Sequence, residues 1–259
     1  MITLSSDFGT PYPAAMRGVI LQRTDTRVID IAHDFPRQDI RTAAFWLNEI
    51  LPWFPPAVHC AVVDPGVGTN RDAIAARVAD HILIGPDNGL LRPVARTIAT
   101  QSSASIEWFK LEWEPESNTF HGRDVFAPAA AEVHETTLES LQENGKASVT
   151  SPNVDLQLPT PEVEQRRITG EVLVVDGFGN AITNIPDSIL KNQIDSCDRL
   201  KINGITVPYV SSFAGVDKNK PLVTIGSHGN AELAVNQGRG DIAFDVTVGD
   251  KVVIEKESS

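Results

Sequence analysis

The stretch "AVHCAVVDPGVGT", residues 57–69, decides the fold class. Its first half is a short and continuous apolar run, which is typical of a β-strand buried on both faces of a sheet. The run ends at Asp64, and a turn rich in proline and glycine follows. Ligand-binding residues of α/β proteins gather at the carboxyl ends of parallel strands. Asp64 therefore occupies a position where a functional site is expected.

The residues before this stretch alternate between strand and helix patterns. "MITLSS" at residues 1–6 predicts a strand, and it ends just before Asp7. "DIRTAAFWLNEILPWF" at residues 39–54 predicts an amphipathic helix that stops before Pro55 and Pro56. The alternation continues through residue 135 and indicates an α/β layered domain with a mostly parallel sheet.

The character of the chain changes after residue 137. Residues 137–165 are polar and rich in turn formers, which is typical of a linker or peripheral segment. From Ile168 onward the pattern is β-rich, and Asn203-Gly204 between apolar alternations predicts a two-residue hairpin. We expect an N-terminal α/β catalytic domain at residues 1–160, which includes the polar segment, and a C-terminal antiparallel β-barrel-like domain at residues 161–259.

Composition excludes several classes of protein. The 259 residues carry a formal net charge of −12, whereas nucleic-acid binding needs clustered lysine and arginine. The N-terminus lacks the pattern of a signal peptide, and no apolar stretch approaches the ~20 residues that span a bilayer. The two cysteines, Cys60 and Cys197, indicate no disulfide framework, so a cytoplasmic protein is expected. The histidines are scattered and predict no metal site.

Two segments carry candidate chemistry. Arg71 follows Asp64 by seven positions, so it either returns to that carboxylate or faces solvent. In "FHGRDVFAP", residues 120–128, His121 has a structural or a functional role, and Gly122 allows a ligand to approach the backbone closely. Asp124 is expected to be the N-cap of the helix that follows, beside a surface charge at Arg123.

Five motifs, in this order along the chain, resemble one family, the S-adenosylmethionine (SAM) hydroxide adenosyltransferases, which are relatives of the fluorinase and chlorinase. They are "SDFGT" at 6–10, "VVDPGVGT" at 62–69, "IGPDNGLL" at 84–91, "FHGRDVFAP" at 120–128 and "DGFGNAITNI" at 176–185. The resemblance implies an α/β domain followed by a β-barrel-like domain. It also implies a homotrimer with sites between subunits, and the hydrolysis of SAM to adenosine and L-methionine without a cofactor.

The resemblance also implies the site residues. The catalytic positions fall on Asp64, Arg71 and His121. The substrate-binding positions fall on Asp7, Phe8, Gly122, Asp176, Asn180, Ser227, Glu232 and Val235. His228 lies beside the last group, where it either contacts the methionine carboxylate or faces solvent, and the solvent-facing interpretation is favoured.

The chemistry of the family gives each catalytic residue a role. The leaving group departs from a sulfonium as neutral methionine and needs no general acid, so the difficulty is the activation of water. Arginine is always protonated, so Arg71 is assigned to electrostatic stabilisation, and His121 with Asp64 is expected to handle the proton. Two alternatives stay open: a SAM-dependent halogenase, and a non-catalytic protein that binds adenosine or SAM.

Overall fold

The structure is a computed structural model that describes residues 1–165, 167–193 and 199–256. The chain forms two compact units, Met1–Gln157 and Leu158–Ser259.

The first unit contains a seven-stranded mixed sheet. Its strands are β1 (Ile2–Ser6), β2 (Val28–Ala32), β3 (Val58–Val62), β4 (Ala73–Val78), β5 (His81–Pro86), β6 (Ile106–Leu111) and β7 (Ala147–Val149). The spatial order is β2-β1-β3-β5-β4-β6-β7. The pairs β2–β1, β1–β3 and β3–β5 are parallel, and the pairs from β5 to β7 are antiparallel. All residues of β3 are buried, which confirms the interpretation of its apolar run.

Helices cover both faces of this sheet, and the predicted α/β class is therefore confirmed. They are α1 (Tyr12–Leu21), α2 (Ile40–Ile50), α3 (Arg92–Ser102), α4 (Ala127–Glu135) and α5 (Leu138–Glu143), with a π-helical turn at Gly122–Phe126 and a 3₁₀ turn at Leu51–Trp53. One apolar core lies under α1 and α4, and another under α2 and α3. Asp39 caps α2, because its carboxylate accepts a hydrogen bond from Thr42 N at 2.9 Å.

The polar segment after residue 137 is not a simple linker. It supplies α5 and the edge strand β7, which pairs with β6. Residues 150–157 then pack back onto the same unit, where Asp155 binds the guanidinium of Arg92 at 2.9 Å. The polarity of the segment reflects its exposed position, and its ion pairs and edge pairing hold it in place.

The second unit is an antiparallel, nearly closed barrel, as predicted. Its described strands are β8 (Glu162–Glu164), β9 (Arg167–Val175), β10 (Ala181–Pro186), β11 (Arg199–Ile202), β12 (Ile205–Pro208), β13 (Pro221–Ile225), β14 (Asn230–Val235) and β15 (Lys251–Lys256), with helices α6 (Asp187–Gln193) and α7 (Gly240–Phe244). The order β12-β11-β15-β9-β10-β14-β13 is brought toward closure by a bridge between Tyr209 and Val223. The predicted hairpin joins β11 and β12, and Asn203 (φ 47°) and Gly204 (φ 92°) both adopt the left-handed conformation that its turn requires.

A histidine pair, in which His59 is buried and His81 is half-buried, links three neighbouring strands of the first sheet. His59 Nδ1 lies 2.9 Å from Thr3 Oγ1, and its Nε2 lies 3.0 Å from His81 Nδ1. The two imidazoles are stacked with their centroids 5.3 Å apart. Burial, with a smaller contribution from His81, lowers the pKa of His59 from 6.5 to about 3. The folded protein therefore keeps His59 neutral at pH values where the unfolded chain protonates it.

We expect acid to destabilise this unit through His59. Because the pKa of His59 is lowered on folding, its contribution to the free energy of unfolding is fully present above pH 6.5. That contribution is lost as the pH falls toward 3. Between pH 7 and pH 5 the loss is about 2 kcal/mol in the free energy of unfolding. Urea titrations at both pH values measure it. The variant His59→Gln cannot titrate and should show a shallower pH dependence, and an equal slope in both proteins would contradict the assignment.

Two further observations concern the thiols and membranes. Cys60 is buried in β3, and burial raises the pKa of its thiol to about 12, whereas Cys197 lies outside the described residues. No helix in the described part of the chain has the length and apolar character needed to cross a membrane.

Candidate active site

The loop between β3 and β4, which we call the catalytic loop (residues 63–72), forms the base of the candidate site. β4 is antiparallel to β5, and β5 lies between β3 and β4 in the sheet. The catalytic loop therefore crosses the carboxyl end of β5. Asp64 lies at the start of this crossing and Arg71 at its end, so the topology brings together, at one edge of the sheet, two residues from strands on either side of β5.

Asp64 and Arg71 form a bidentate ion pair. Arg71 Nε donates to Asp64 Oδ1 at 2.9 Å, and Arg71 Nη2 donates to Asp64 Oδ2. The two side chains are only 3% and 12% exposed, for Asp64 and Arg71 respectively. The guanidinium also lies over the ring of Phe126, with its central carbon 5.0 Å from the ring centroid. Such two-point, partly desolvated pairing fixes the orientation of both groups.

His121 completes the cluster. Its Nδ1 lies 3.1 Å from Arg71 Nη2, and its Nε2 is buried with no hydrogen-bond partner among the described residues. A guanidinium can only donate, so Nδ1 must accept. The neutral imidazole therefore carries its proton on Nε2, which makes Nε2 a donor that is free to bind a ligand or a water molecule.

The charge state of His121 follows from its surroundings. Burial lowers its pKa below the ordinary 6.5, and the positive charge of Arg71 lowers it further, against a smaller opposing effect of Asp64. The ring is therefore neutral at pH 7. Its protonation would place a second positive charge directly against Arg71.

A cavity of about 330 Å³ opens beside this cluster, which is the size of a small-molecule site. It is lined by Asp7, Phe8, Tyr12, Arg37, Gln38, Val62, Asp64, Val67, Thr119, Phe120, His121 and Gly122. The ring of Phe120 makes edge contacts with Phe8 and Tyr12, at centroid distances of 5.7 and 5.3 Å. The cavity thus combines an aromatic wall with a charged base.

Asp7 lies where the chain leaves β1. Its Oδ2 accepts a hydrogen bond from the backbone N of Gln38 at 2.7 Å. Gln38 has a φ of 62°, so the turn after β2 bends sharply to reach this carboxylate. No hydrogen bond to Oδ1 of Asp7 is seen among the described residues, and the side chain lines the cavity.

Gly122 lies in close contact with the ends of neighbouring side chains. A Cβ at this position would lie 2.8 Å from the ring of Phe8 and 3.1 Å from Met16 Sδ. The π-helical turn that begins at Gly122 therefore packs directly against the segment that follows β1. Turns of this kind inside helices are frequent at functional sites.

The N-cap prediction for Asp124 is wrong. Asp124 lies within the π-helical turn, and its Oδ2 accepts from Ser117 N at 2.9 Å while Arg123 pairs with it. No side chain caps α4, because the helix continues directly from this turn. Asp124 therefore ties the preceding loop to the turn that holds His121.

The predicted residues of the second unit fall into two groups. Asp176 and Asn180 form the turn before β10, where Asp176 Oδ1 accepts from Phe178 N and Asn180 N at 2.9 and 2.8 Å. Val235 is at the same end, because Leu233 pairs with Ala181. Ser227 lies in the β13–β14 turn, at the opposite end of β10.

The favoured interpretation of His228 as a solvent-facing residue is wrong. Its side chain is only 6% exposed, and its Nε2 lies 2.9 Å from Glu232 Oε1. Gly226 permits this pair, because a Cβ there would lie 2.4 Å from the imidazole nitrogen. The pair is part of the internal structure of the β13–β14 hairpin.

Seven residues that line the cavity were not predicted as site residues from the sequence, namely Tyr12, Arg37, Gln38, Val62, Val67, Thr119 and Phe120. A signal for two of them was present. Arg37 and Gln38 follow the turn former Pro36 shortly after β2, at the edge of the sheet where ligands bind. The described residues contain no group of three or more side chains that could hold a metal ion.

Comparisons with known proteins agree with this geometry. Residues 2–144 match the model of the SAM hydroxide adenosyltransferase N-terminal domain, and residues 170–253 match that of the C-terminal domain. The chain is 39% identical to an (R)-S-adenosyl-L-methionine hydrolase of Salinispora tropica over 97% of this chain and 96% of the relative. It is 23% identical to a fluorinase of Nocardia brasiliensis over 98% and 96% of the two chains.

A crystal structure of an uncharacterized conserved protein from Thermotoga maritima superposes with a TM-score of 0.84 at 32% identity, covering 99% of this chain and all of the other. Both domain models match in order and together they cover most of the chain. The chain belongs to the SAM hydroxide adenosyltransferase family.

Proposed function

We propose that this protein hydrolyses S-adenosyl-L-methionine to adenosine and L-methionine. The observation that carries the proposal is the Asp64–Arg71–His121 cluster at the base of a cavity with an aromatic wall, in a chain of this family. A water oxygen attacks C5′ of the adenosyl group, and the C5′–S bond breaks as the electron pair moves to sulfur. The water also loses one proton, so the products are adenosine, a proton and methionine, which leaves as a neutral thioether.

The geometry refines the roles of the three residues. Arg71 holds positive charge beside the attacking oxygen and favours its deprotonated form. His121 donates from Nε2 to that oxygen, because Nδ1 already accepts from Arg71. Asp64 takes the proton, since a carboxylate that accepts two guanidinium bonds keeps further lone pairs. Positioning of the water in line with the C5′–S bond contributes several kcal/mol more.

The remaining residues are proposed to bind the substrate. Phe8 and Phe120 contact the adenine ring, and Oδ1 of Asp7 accepts from ribose hydroxyls. We further propose that Asp176, Asn180, Ser227, Glu232 and Val235 bind the substrate in a homotrimer, with the unit of residues 1–157 as the catalytic domain. The buried thiol of Cys60 suits a reducing cytoplasm.

The function is tested by incubating purified protein with SAM in H₂¹⁸O and analysing the products by mass spectrometry. We expect adenosine and methionine, with the label in the 5′-hydroxyl of adenosine. Both sulfonium epimers are supplied, because the name of the Salinispora relative specifies the (R) form. Unlabelled adenosine, or binding by calorimetry without any product, would sink the proposal.

The same reaction in chloride tests the halogenase alternative. A carboxylate at Asp64 repels a halide at close range, so we expect no 5′-chloro-5′-deoxyadenosine. The distance of the fluorinase relative, at 23% identity, agrees with this expectation.

Gly122→Ala should weaken substrate binding more than folding. The new Cβ meets the far ends of Phe8, Met16 and Phe120, which can move but then enter the cavity. We expect KM for SAM to rise about tenfold, which corresponds to about 1.4 kcal/mol. The thermal midpoint should change little. Gly18→Ala in α1, where a Cβ meets nothing within 4 Å, is the control and should leave KM unchanged. An unchanged KM in Gly122→Ala would contradict the placement of the ligand.

A further inference from the structure

One turn holds both ends of the catalytic loop. The turn, residues 86–89 of the "IGPDNGLL" motif, follows β5 directly under the crossing. Asn88 Nδ2 donates to the backbone O of Val63 at 2.8 Å, and Val63 is the residue immediately before Asp64. Asn88 Oδ1 accepts from Leu90 N at 3.1 Å, which fixes the orientation of the amide.

The other end of the catalytic loop is held by the neighbouring residue. Asp87 N donates to the backbone O of Asp72 at 2.9 Å. The same carbonyl accepts from Arg71 Nη1 at 3.0 Å. The turn therefore contacts the chain just before Asp64 and just after Arg71, and one of its two contacts shares an acceptor with the catalytic guanidinium.

The turn is itself immobilised by the segment at residues 150–157. Asp87 is buried, and its Oδ2 accepts from both Asn153 N and Asn153 Nδ2, at 2.8 and 2.7 Å. Gly89 has a φ of 94°, and a Cβ there would lie 2.6 Å from the Cβ of Leu156. Contacts on this side leave the turn little freedom to move with the catalytic loop.

We propose that Asn88 is a positioning residue for the hydrolysis. By holding the backbone at Val63, it places the carboxylate of Asp64 where it contacts both Arg71 and the attacking water. The proposal rests on the proposed function. A backbone carbonyl that loses its donor can shift by a fraction of an ångström, and a misplacement of about 1 Å can cost about 10²-fold in rate. Rigid support around a reacting group is what keeps such geometry in place.

The test compares Asn88→Ala with Asn203→Ala. Asn203 is the matched control, since its amide also donates to a backbone carbonyl (Lys251 O) and accepts from a backbone N (Val253 N), but it lies in the β11–β12 hairpin. We expect Asn88→Ala to lower kcat about 10²-fold with KM within about threefold. Asn203→Ala should lose stability and keep kcat.

A second readout needs no substrate. If Asn88 keeps Arg71 against His121, the pKa of His121, followed by NMR, should rise toward its ordinary value in Asn88→Ala and stay lowered in Asn203→Ala. An unchanged kcat together with an unchanged His121 pKa would overturn the proposal, as would a loss of kcat that Asn203→Ala shares. If Asn88→Ala does not fold, Asn88→Asp keeps the bond from Leu90 N but replaces the donor to Val63 O by a charged acceptor, and it undergoes the same kcat comparison. A wild-type protein that releases no adenosine overturns the proposed function, while the NMR comparison still decides the role of Asn88.

Discussion

Replacement of Arg71 by methionine is expected to lower kcat about 10³-fold and the free energy of unfolding by about 3 kcal/mol. The activity falls because the positive charge beside the attacking water is lost. The stability falls because the carboxylate of Asp64, which is only 3% exposed, is left without its bidentate partner. Assays of adenosine release and urea titrations measure the two effects separately.

A double variant separates these causes. Asp64→Asn combined with Arg71→Met removes both charges, so the unfolding free energy should return toward the wild-type value while the activity stays lost. Arg77→Met is the matched control. Arg77 also pairs with two carboxylates, Glu107 and Glu139, but it is 32% exposed and is not among the residues that line the cavity. Arg77→Met should lower the free energy of unfolding by less than about 1 kcal/mol and keep full activity. A stable and active Arg71→Met would show that the buried pair serves neither purpose.

The second large effect is expected at His121. His121→Ala should lower kcat by about 10²–10³-fold, because the donor that holds the deprotonated attacking oxygen in place is lost. His121→Gln places an amide N–H near the position of Nε2 and should recover all but about tenfold of the wild-type rate. If the ring instead acted as a base, glutamine could not replace it, and both variants would be equally slow.

The pH dependence checks the same assignment. In the proposed mechanism the neutral ring of His121 is the active form, and its pKa is lowered by burial and by Arg71. Activity of the wild-type protein should therefore persist below pH 6.5 and decline only as the pH falls through this lowered pKa. The acid limb that belongs to His121 should be missing from the profile of His121→Gln. A wild-type decline that begins well above pH 6.5 would contradict the neutral state of His121.

Much of the fold could be predicted because local patterns and topology agree. The strand β3 is buried along its whole length, including its one polar residue, His59, so it has no solvated face, and Asn203-Gly204 favours one type of hairpin turn. The antiparallel half of the first sheet could not be read from the pattern, since a strand buried on both faces looks the same in either direction. The polar segment after residue 137 was also ambiguous, because edge strands and linkers have similar compositions.

Several features of the candidate site also could not be predicted from sequence patterns. That Arg71 returns to Asp64 depends on the crossing over β5, which a spacing of seven residues does not reveal. Asp124 has the residue type of a cap, yet a π-helical turn extends the helix past it. The burial of His228 depends on a partner four residues away in the next strand, Glu232, and on the absence of a side chain at Gly226.

The crossing of the catalytic loop has a consequence for how such an enzyme can diversify. The two ends of the loop continue into β3 and β4, which lie two strand spacings or about 10 Å apart. The sheet therefore determines how far apart the backbone lies at Asp64 and at Arg71. The apex of the loop at Val67 borders the cavity but is part of neither end of the loop, and Val67 is 38% exposed. A library that randomises Val67 at the apex can therefore change the lining of the cavity while the ion pair of Asp64 and Arg71 is kept.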